Sequence, residues 1–120
     1  NMSNDFVIFR LADIILTRAE ALHRLGQTAE ALVLVNTIRT RAGVTPYDAL
    51  TDQLLYEERG REMYTEMTRR QDQIRFGTWD DAWWEKPAST DTQKLFPIPK
   101  AQRDVNPNLI QNPGYPGAGG

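Results

Sequence analysis

The chain has 120 residues, a net charge of −2, 40% hydrophobic and 25% charged residues, and no cysteine. That is enough sequence for about one globular domain, and it excludes disulfides and thiolate metal sites. Lys and Arg are scattered among acids, so no basic footprint points to nucleic acid, and no apolar run approaches the roughly 20 residues that span a bilayer.

Asn1 to Asp5 read as a ragged polar lead-in, without the charged and apolar regions of an export signal. A helix is predicted next. Its apolar residues Ile8, Leu11, Ala12, Ile15, Ala19 and Leu22 fall mostly three and four apart, as one buried face requires. Ile14, Ala21 and Leu25 widen that face, so packing on two sides is expected. Gly26 ends the helix, since glycine takes the left-handed C-terminal conformation without a Cβ penalty. Thr28 is expected to cap a second helix through its hydroxyl. That helix carries Ala31, Leu32, Val35, Ile38 and Ala42 on one stripe and closes at Gly43. So short a turn makes the two helices of this Phe9 to Gly43 hairpin antiparallel neighbours. Small and large residues at Ala19, Leu22, Gly26, Ala31, Val35 and Ile38 resemble the tetratricopeptide pattern, whose units bury their faces by stacking in about three or more copies. One clear copy stands here, so the chain reads as part of a longer one.

Pro46 marks a connection over Val44 to Asp48. A long helical segment follows from about Ala49 to Phe76, with a bend or break near Glu66 to Arg69. Leu50, Leu54, Tyr56, Met63, Met67 and Ile74 form its expected apolar side. Gly60 within it costs roughly 1 kcal/mol relative to alanine, which suggests close packing there. Gly77 stops the segment. Six of the seven prolines follow Gly77, so residues 78–120 are expected to be extended or turn-rich. With Trp79, Trp83, Trp84, Leu95, Phe96, Ile98, Val105, Leu109, Ile110 and Tyr115, that stretch is too apolar for a disordered linker. It reads as a strap packed on the helices, burying Leu95, Phe96, Ile98 and Tyr115, with only Gly117 to Gly120 loose. The fold class is therefore mostly α: residues 1–77 helical, 78–120 a strap.

Arg10 with Asp13, and Arg59 with Glu62, stand one helical turn apart and are expected to pair on the surface. Glu20, Asn36, Arg39, Arg41, Glu58, Arg70, Asp72 and Arg75 are candidates for bridging the helices. Paired carboxylates could serve as acid and base or as metal ligands, but helical carboxylate metal sites also use histidine. The one histidine, His23, reads as a partly exposed polar residue. No phosphate loop or nucleophile elbow occurs, so the network reads as structural and neither catalysis, metal nor cofactor is expected. "TWDDAWWEKP" (Thr78 to Pro87) has two readings. Trp79, Trp83 and Trp84 could form a platform for sugar rings, or could anchor the strap by burial; anchoring is the favoured one.

Four blocks, in order, resemble the C-terminal portion of the SusD/RagB family. "FRLADIILTRAEALHRLGQTAEAL" (Phe9 to Leu32) is similar to the family's Arg-x-Ala-Asp helix and Ala-Glu-Ala-Leu run. "VNTIRTRAGV" (Val35 to Val44) resembles its Asn-x-x-Arg-x-Arg-Ala-Gly helix end. "YEERGREMYTEMTRRQDQIRFG" (Tyr56 to Gly77) is similar to its Glu-Arg-x-x-Glu helix with a following Arg-x-x-Asp-x-x-Arg-aromatic-Gly. "LFPIPKAQRDVNPNLIQNPGY" (Leu95 to Tyr115) resembles its closing signature. The chain departs from the pattern at Thr17, where a bulkier residue is usual, at Gly60, usually charged, and at Met67 and Thr68, where small residues or glycine often occur. The resemblance implies a non-catalytic, lipid-anchored protein of the bacterial outer-membrane surface. Such a protein holds oligosaccharides for a SusC-like TonB-dependent transporter, with the anchor and much of the ligand site outside this segment. Glycan recognition is therefore expected to be incomplete in these 120 residues. A tetratricopeptide-type scaffold for protein partners is the alternative.

Overall fold

A computed structural model describes residues 7–117; the expected lead-in over 1–5 and the loose end beyond Gly117 lie outside the described residues. The described residues form five α-helices: α1 (Leu11–Arg24), α2 (Thr28–Arg41), α3 (Asp52–Glu62), α4 (Arg69–Arg75) and α5 (Lys100–Val105). A short 3-10 turn covers Asp91–Lys94. The chain divides into two compact units, residues 1–72 and 73–120.

In the first unit α1 and α2 form the expected antiparallel hairpin, with α3 packed beside α1. Gly26 sits at φ +80° and ends α1 as its lack of a side chain allows. Ala19 and Ala31 are fully buried where the helices meet, and Leu16, Val35, Ile38 and Leu55 fill the space around them. The buried face of α1 differs from the one its spacing suggests. It consists of Ala12, Leu16, Ala19 and Glu20, while Ile8 and Leu11 lie about three-quarters exposed. Alpha1 carries more apolar residues than one face accommodates, and the hairpin buries the set that includes Leu16. Ile14, Leu25 and Val33 stay exposed with Leu11, leaving an apolar outer face on the hairpin.

Helix capping also differs from expectation. Alpha2 already begins at Thr28, and the hydroxyl of that residue meets His23 Nδ1 at 3.1 Å instead of capping the helix. The side-chain cap is on α3, where Thr51 Oγ1 accepts a 3.2 Å bond from the Leu54 N–H. Thr51→Ala is therefore expected to cost about 1 kcal/mol, and Thr28→Ala no more than about 0.5 kcal/mol. Urea melts of the two variants check the order.

The long helical segment breaks after Glu62, three residues earlier than expected, and resumes at Arg69. The break turns Met67 outward, so it leaves the apolar side assigned to it, while Leu50, Leu55 and Met63 are buried. Gly60 is a close-packing position as expected: a Cβ there would lie 2.7 Å from Arg69 Nη1.

The second unit holds itself together mainly through polar side chains bonded to backbone. Gln111 is buried and takes both backbone groups of Ile98, its Oε1 accepting from the N–H at 2.8 Å and its Nε2 donating to the carbonyl at 3.0 Å. Asn112 Nδ2 donates to the Phe96 carbonyl at 2.7 Å, and the Tyr115 hydroxyl donates to that of Leu95 at 2.8 Å. Gly114, at φ +83°, leaves no room for a side chain, since its Cβ would fall 2.1 Å from Thr92 Oγ1. The expected burial of apolar strap residues is not met. Leu95 and Phe96 are exposed, and Ile98 and Tyr115 are half-buried. The closing motif works by clamping backbone rather than by burying its apolar side chains. Alpha5 also interrupts the extended stretch, started by Pro99, whose carbonyl accepts from the Gln102 and Arg103 N–H groups.

Candidate functional site

Two arrangements carry the functional candidates: the charged network of the helices and the tryptophan turn of the second unit. In the network, the i and i+3 neighbours Arg10 with Asp13 and Arg59 with Glu62 take other partners. Arg59 is buried, and it reaches across to α1 and α4. Its Nε donates to Asp72 Oδ1 at 2.9 Å, its Nη2 to Asp13 Oδ1 at 3.0 Å and its Nη1 to Thr17 Oγ1 at 3.2 Å. Thr17, a departure from the family pattern, thus supplies a hydroxyl to a buried guanidinium. Arg10 pairs with Glu62 at 2.6 Å and Glu66 at 2.7 Å. Those bonds, Glu66 first and Glu62 next, raise its pKa above the ordinary arginine range. The surface pairs expected from sequence, Arg10 with Asp13 and Arg59 with Glu62, are replaced by these cross-helix ones. A buried carboxylate needs an immobile cation, which a tertiary partner supplies better than a flexible neighbour on the same helix.

Of the bridging candidates, Arg39, Arg41, Glu58 and Asp72 join two helices. Arg39 Nη1 meets Glu58 at 2.6 Å, its guanidinium lies 3.7 Å from the Tyr47 ring centre, and its Nε donates to the Thr45 carbonyl. Asn36 exchanges two hydrogen bonds with the backbone of Tyr47, and Arg41 pairs with Glu62 at 2.5 Å. Together these tie the 44–50 connection to α2 and α3. Glu20 turns to Arg24 on its own helix, at 3.1 Å. Arg70 is half-buried and Arg75 exposed on α4.

Glu20 and His23 stand three residues apart, a spacing that helical carboxylate metal sites use. Here His23 instead meets Asp52 at 3.1 Å, and no cluster of three or more His, Cys, Asp or Glu residues among the described residues is arranged to hold a metal. The buried carboxylates Glu58 and Asp72 are held by arginines, an arrangement suited to bracing helices. No described helix is long and apolar enough to cross a membrane.

The tryptophans separate. Trp79 is half-buried, with Lys86 Nζ 5.9 Å from its ring centre. Trp83 and Trp84 are 54% and 92% exposed, so neither anchors by burial, contrary to the favoured reading. The cause is local. Trp83 and Lys86 pair antiparallel, with N–H to carbonyl bonds of 3.0 and 2.7 Å, and this tight turn carries Trp84 at its tip. Trp84 sits at φ +34°, strained for a residue with a Cβ. Lys86 fixes the turn from below, its Nζ donating to the Asp81 and Pro87 carbonyls and to Ser89 Oγ. Lys94 binds Asp80 at 2.5 Å and Asp91 at 2.6 Å nearby. These hydrogen bonds, Asp80 first, raise the Lys94 pKa, and the bond to Lys94 lowers that of Asp91. The outcome is a hydrogen-bonded turn presenting the bare Trp84 ring at its tip. The sequence located the tryptophans but gave no signal of the turn, because a glycine or asparagine is the usual marker of positive φ.

Comparison with known proteins gives consistent results. The sequence profile of the SusD family matches residues 1–89. The chain is 38% identical over 124 aligned positions to the starch-binding protein SusD of Bacteroides thetaiotaomicron, covering 92% of this chain and 22% of that protein. It is 32% identical to the SusD-like protein P25 of Formosa agariphila, covering 96% of this chain and 26% of that one. A crystal structure of a SusD superfamily protein from Parabacteroides distasonis superposes with a TM-score of 0.61 at 29% identity, over 92% of this chain and 27% of that one. The chain thus spans about a quarter of the length of these relatives. With the family profile matched over most of its length, the chain belongs to the SusD family.

Proposed function

We propose that this chain is the C-terminal helical segment of a non-catalytic protein that captures oligosaccharides at the bacterial outer-membrane surface and passes them to a TonB-dependent transporter. Its lipid anchor lies outside the segment. The observation that carries the reading is the 38% identity to a starch-binding relative along nearly the whole chain. The exposed apolar face of the α1–α2 hairpin, with Leu11, Ile14, Leu25 and Val33, fits a segment that stacks against further helices. The buried arginine–carboxylate pairs fit a rigid support for a ligand site better than they fit acid–base chemistry.

Sugar rings stack their C–H faces on aromatic rings while polar groups take their hydroxyls. Trp84, bare on a fixed turn with Asp81 and Glu85 beside it, suits one such contact. A complete site needs several polar groups converging in a cleft, so the segment supplies a contact and the rest of the protein the remainder. Calorimetry with malto-oligosaccharides and a glycan array on the whole protein test this. Trp84→Ala is expected to weaken binding about tenfold, the equivalent of about 1.4 kcal/mol, and the isolated segment to bind far more weakly than the whole. Full affinity in the isolated segment, or no binding to any oligosaccharide by the whole protein, would count against the reading.

A further inference from the structure

The Trp83 to Lys86 turn carries its largest side chain where the backbone favours the smallest. Trp83 and Lys86 exchange N–H to carbonyl bonds of 3.0 and 2.7 Å, which close a loop of two residues, Trp84 and Glu85. Trp84 has φ +34°, and Glu85 does not share the positive sign. A two-residue hairpin loop with the positive angle at its first position normally places glycine there, because a Cβ is strained in that region. Strained backbone of this kind persists only where the surrounding structure over-determines it. Here one ammonium group does so.

Lys86 is half-buried and folds its side chain back under its own turn. Its Nζ donates to the Asp81 carbonyl at 3.0 Å, on the leg that enters the turn. It also donates to the Pro87 carbonyl at 3.3 Å and to Ser89 Oγ at 3.1 Å, on the leg that leaves it. All three N–H groups of the ammonium are thereby used, and both legs are held from one point. Ser89 extends the tie. Its hydroxyl donates to the Trp79 carbonyl at 3.4 Å and its backbone N–H to the Asp80 carbonyl at 3.0 Å.

We infer that Lys86 is a positioning residue for Trp84: its ammonium, spanning the two legs, holds the glycine-type backbone that aims the indole, and so sets the strength of the sugar contact without touching the sugar. Lysine suits the task. Its ammonium is a compact centre with three rotatable donors, whereas the planar fork of an arginine does not match three oxygens converging from two legs. Affinity falls in proportion to the fraction of molecules whose turn leaves the binding conformation, so loss of Lys86 acts on binding through Trp84. The inference rests on the sugar contact proposed above for Trp84.

The test is malto-oligosaccharide calorimetry on the whole protein, with fluorine NMR of fluorotryptophan-labelled samples recorded without ligand. Lys86→Met keeps the length of the stem and removes all three donors. It is expected to shift or broaden the Trp84 resonance and to weaken binding about fivefold. Lys86→Arg is expected to weaken binding to a similar degree although it keeps the charge. In a Trp84→Ala background, Lys86→Met is expected to change affinity less than about twofold, because a residue that acts through Trp84 has nothing left to position. General loss of structure would instead weaken binding equally in both backgrounds, which overturns the inference. Full affinity in Lys86→Met or in Lys86→Arg, beside a clear loss in Trp84→Ala, overturns it as well and leaves the sugar contact standing. If Trp84→Ala itself binds as the unmodified protein does, the sugar contact fails and this role of Lys86 with it.

Discussion

Arg59→Met is expected to destabilise the helical unit by about 3 to 5 kcal/mol, the usual cost of leaving a buried charge without its partner. Asp72 is fully buried and Asp13 mostly so, and both face the Arg59 guanidinium at 3.0 Å or less. The loss arises from stranding these carboxylates more than from the net value of the pair, so the size of the effect depends on what remains. The double variant Arg59→Met with Asp72→Asn is therefore expected to recover part of the loss, and a double-mutant cycle read by denaturant unfolding isolates the coupling. A loss below about 1 kcal/mol for the single variant would place this bridge with surface pairs screened by water.

The prominence of that bridge was only half legible in the sequence. Arg59 and Asp72 both stood out as members of a charged network. Helical periodicity, however, joins each residue to neighbours on its own helix, so it pointed Arg59 to Glu62 and Arg10 to Asp13. Which carboxylate meets which arginine depends on how α1, α3 and α4 pack, and no local spacing encodes that. The same limit explains Thr28. Its position before an apolar run is a capping signature, but the chain enters α2 one residue sooner and leaves the hydroxyl to His23.

Where physical constraints are local, the residues spoke clearly. Gly26, Gly43 and Gly77 all lie at positive φ and end the segments they were expected to end. The antiparallel hairpin follows from two apolar stripes, each ended by a glycine, and a short turn. The closing motif was legible as folded, yet its means were not. Apolar content suggested burial of Leu95 and Phe96, while the structure invests in Gln111 and Asn112 as backbone clamps. The tryptophans show a related limit. Clustering marked the place, but only the turn geometry separates half-buried Trp79 from bare Trp84.

Leu16→Ala and Leu55→Ala are each expected to cost about 2 to 5 kcal/mol, from lost transfer free energy plus the cavity left behind. Both side chains are fully buried in the α1–α2–α3 core, where dense packing leaves neighbours little freedom to close the gap. Leu11→Ala removes the same atoms from a side chain 74% exposed, so in the isolated segment its cost is expected to stay within about 0.5 kcal/mol. In the whole protein the comparison changes. If the outer face of the hairpin stacks on further helices, Leu11 is buried there, and its truncation costs about 2 kcal/mol or more. Melting the three variants in both contexts therefore measures the core and the stacking at once. Equal, small Leu11→Ala effects in segment and whole protein would mean that the apolar face remains open, and that the hairpin is not one repeat of a longer stack.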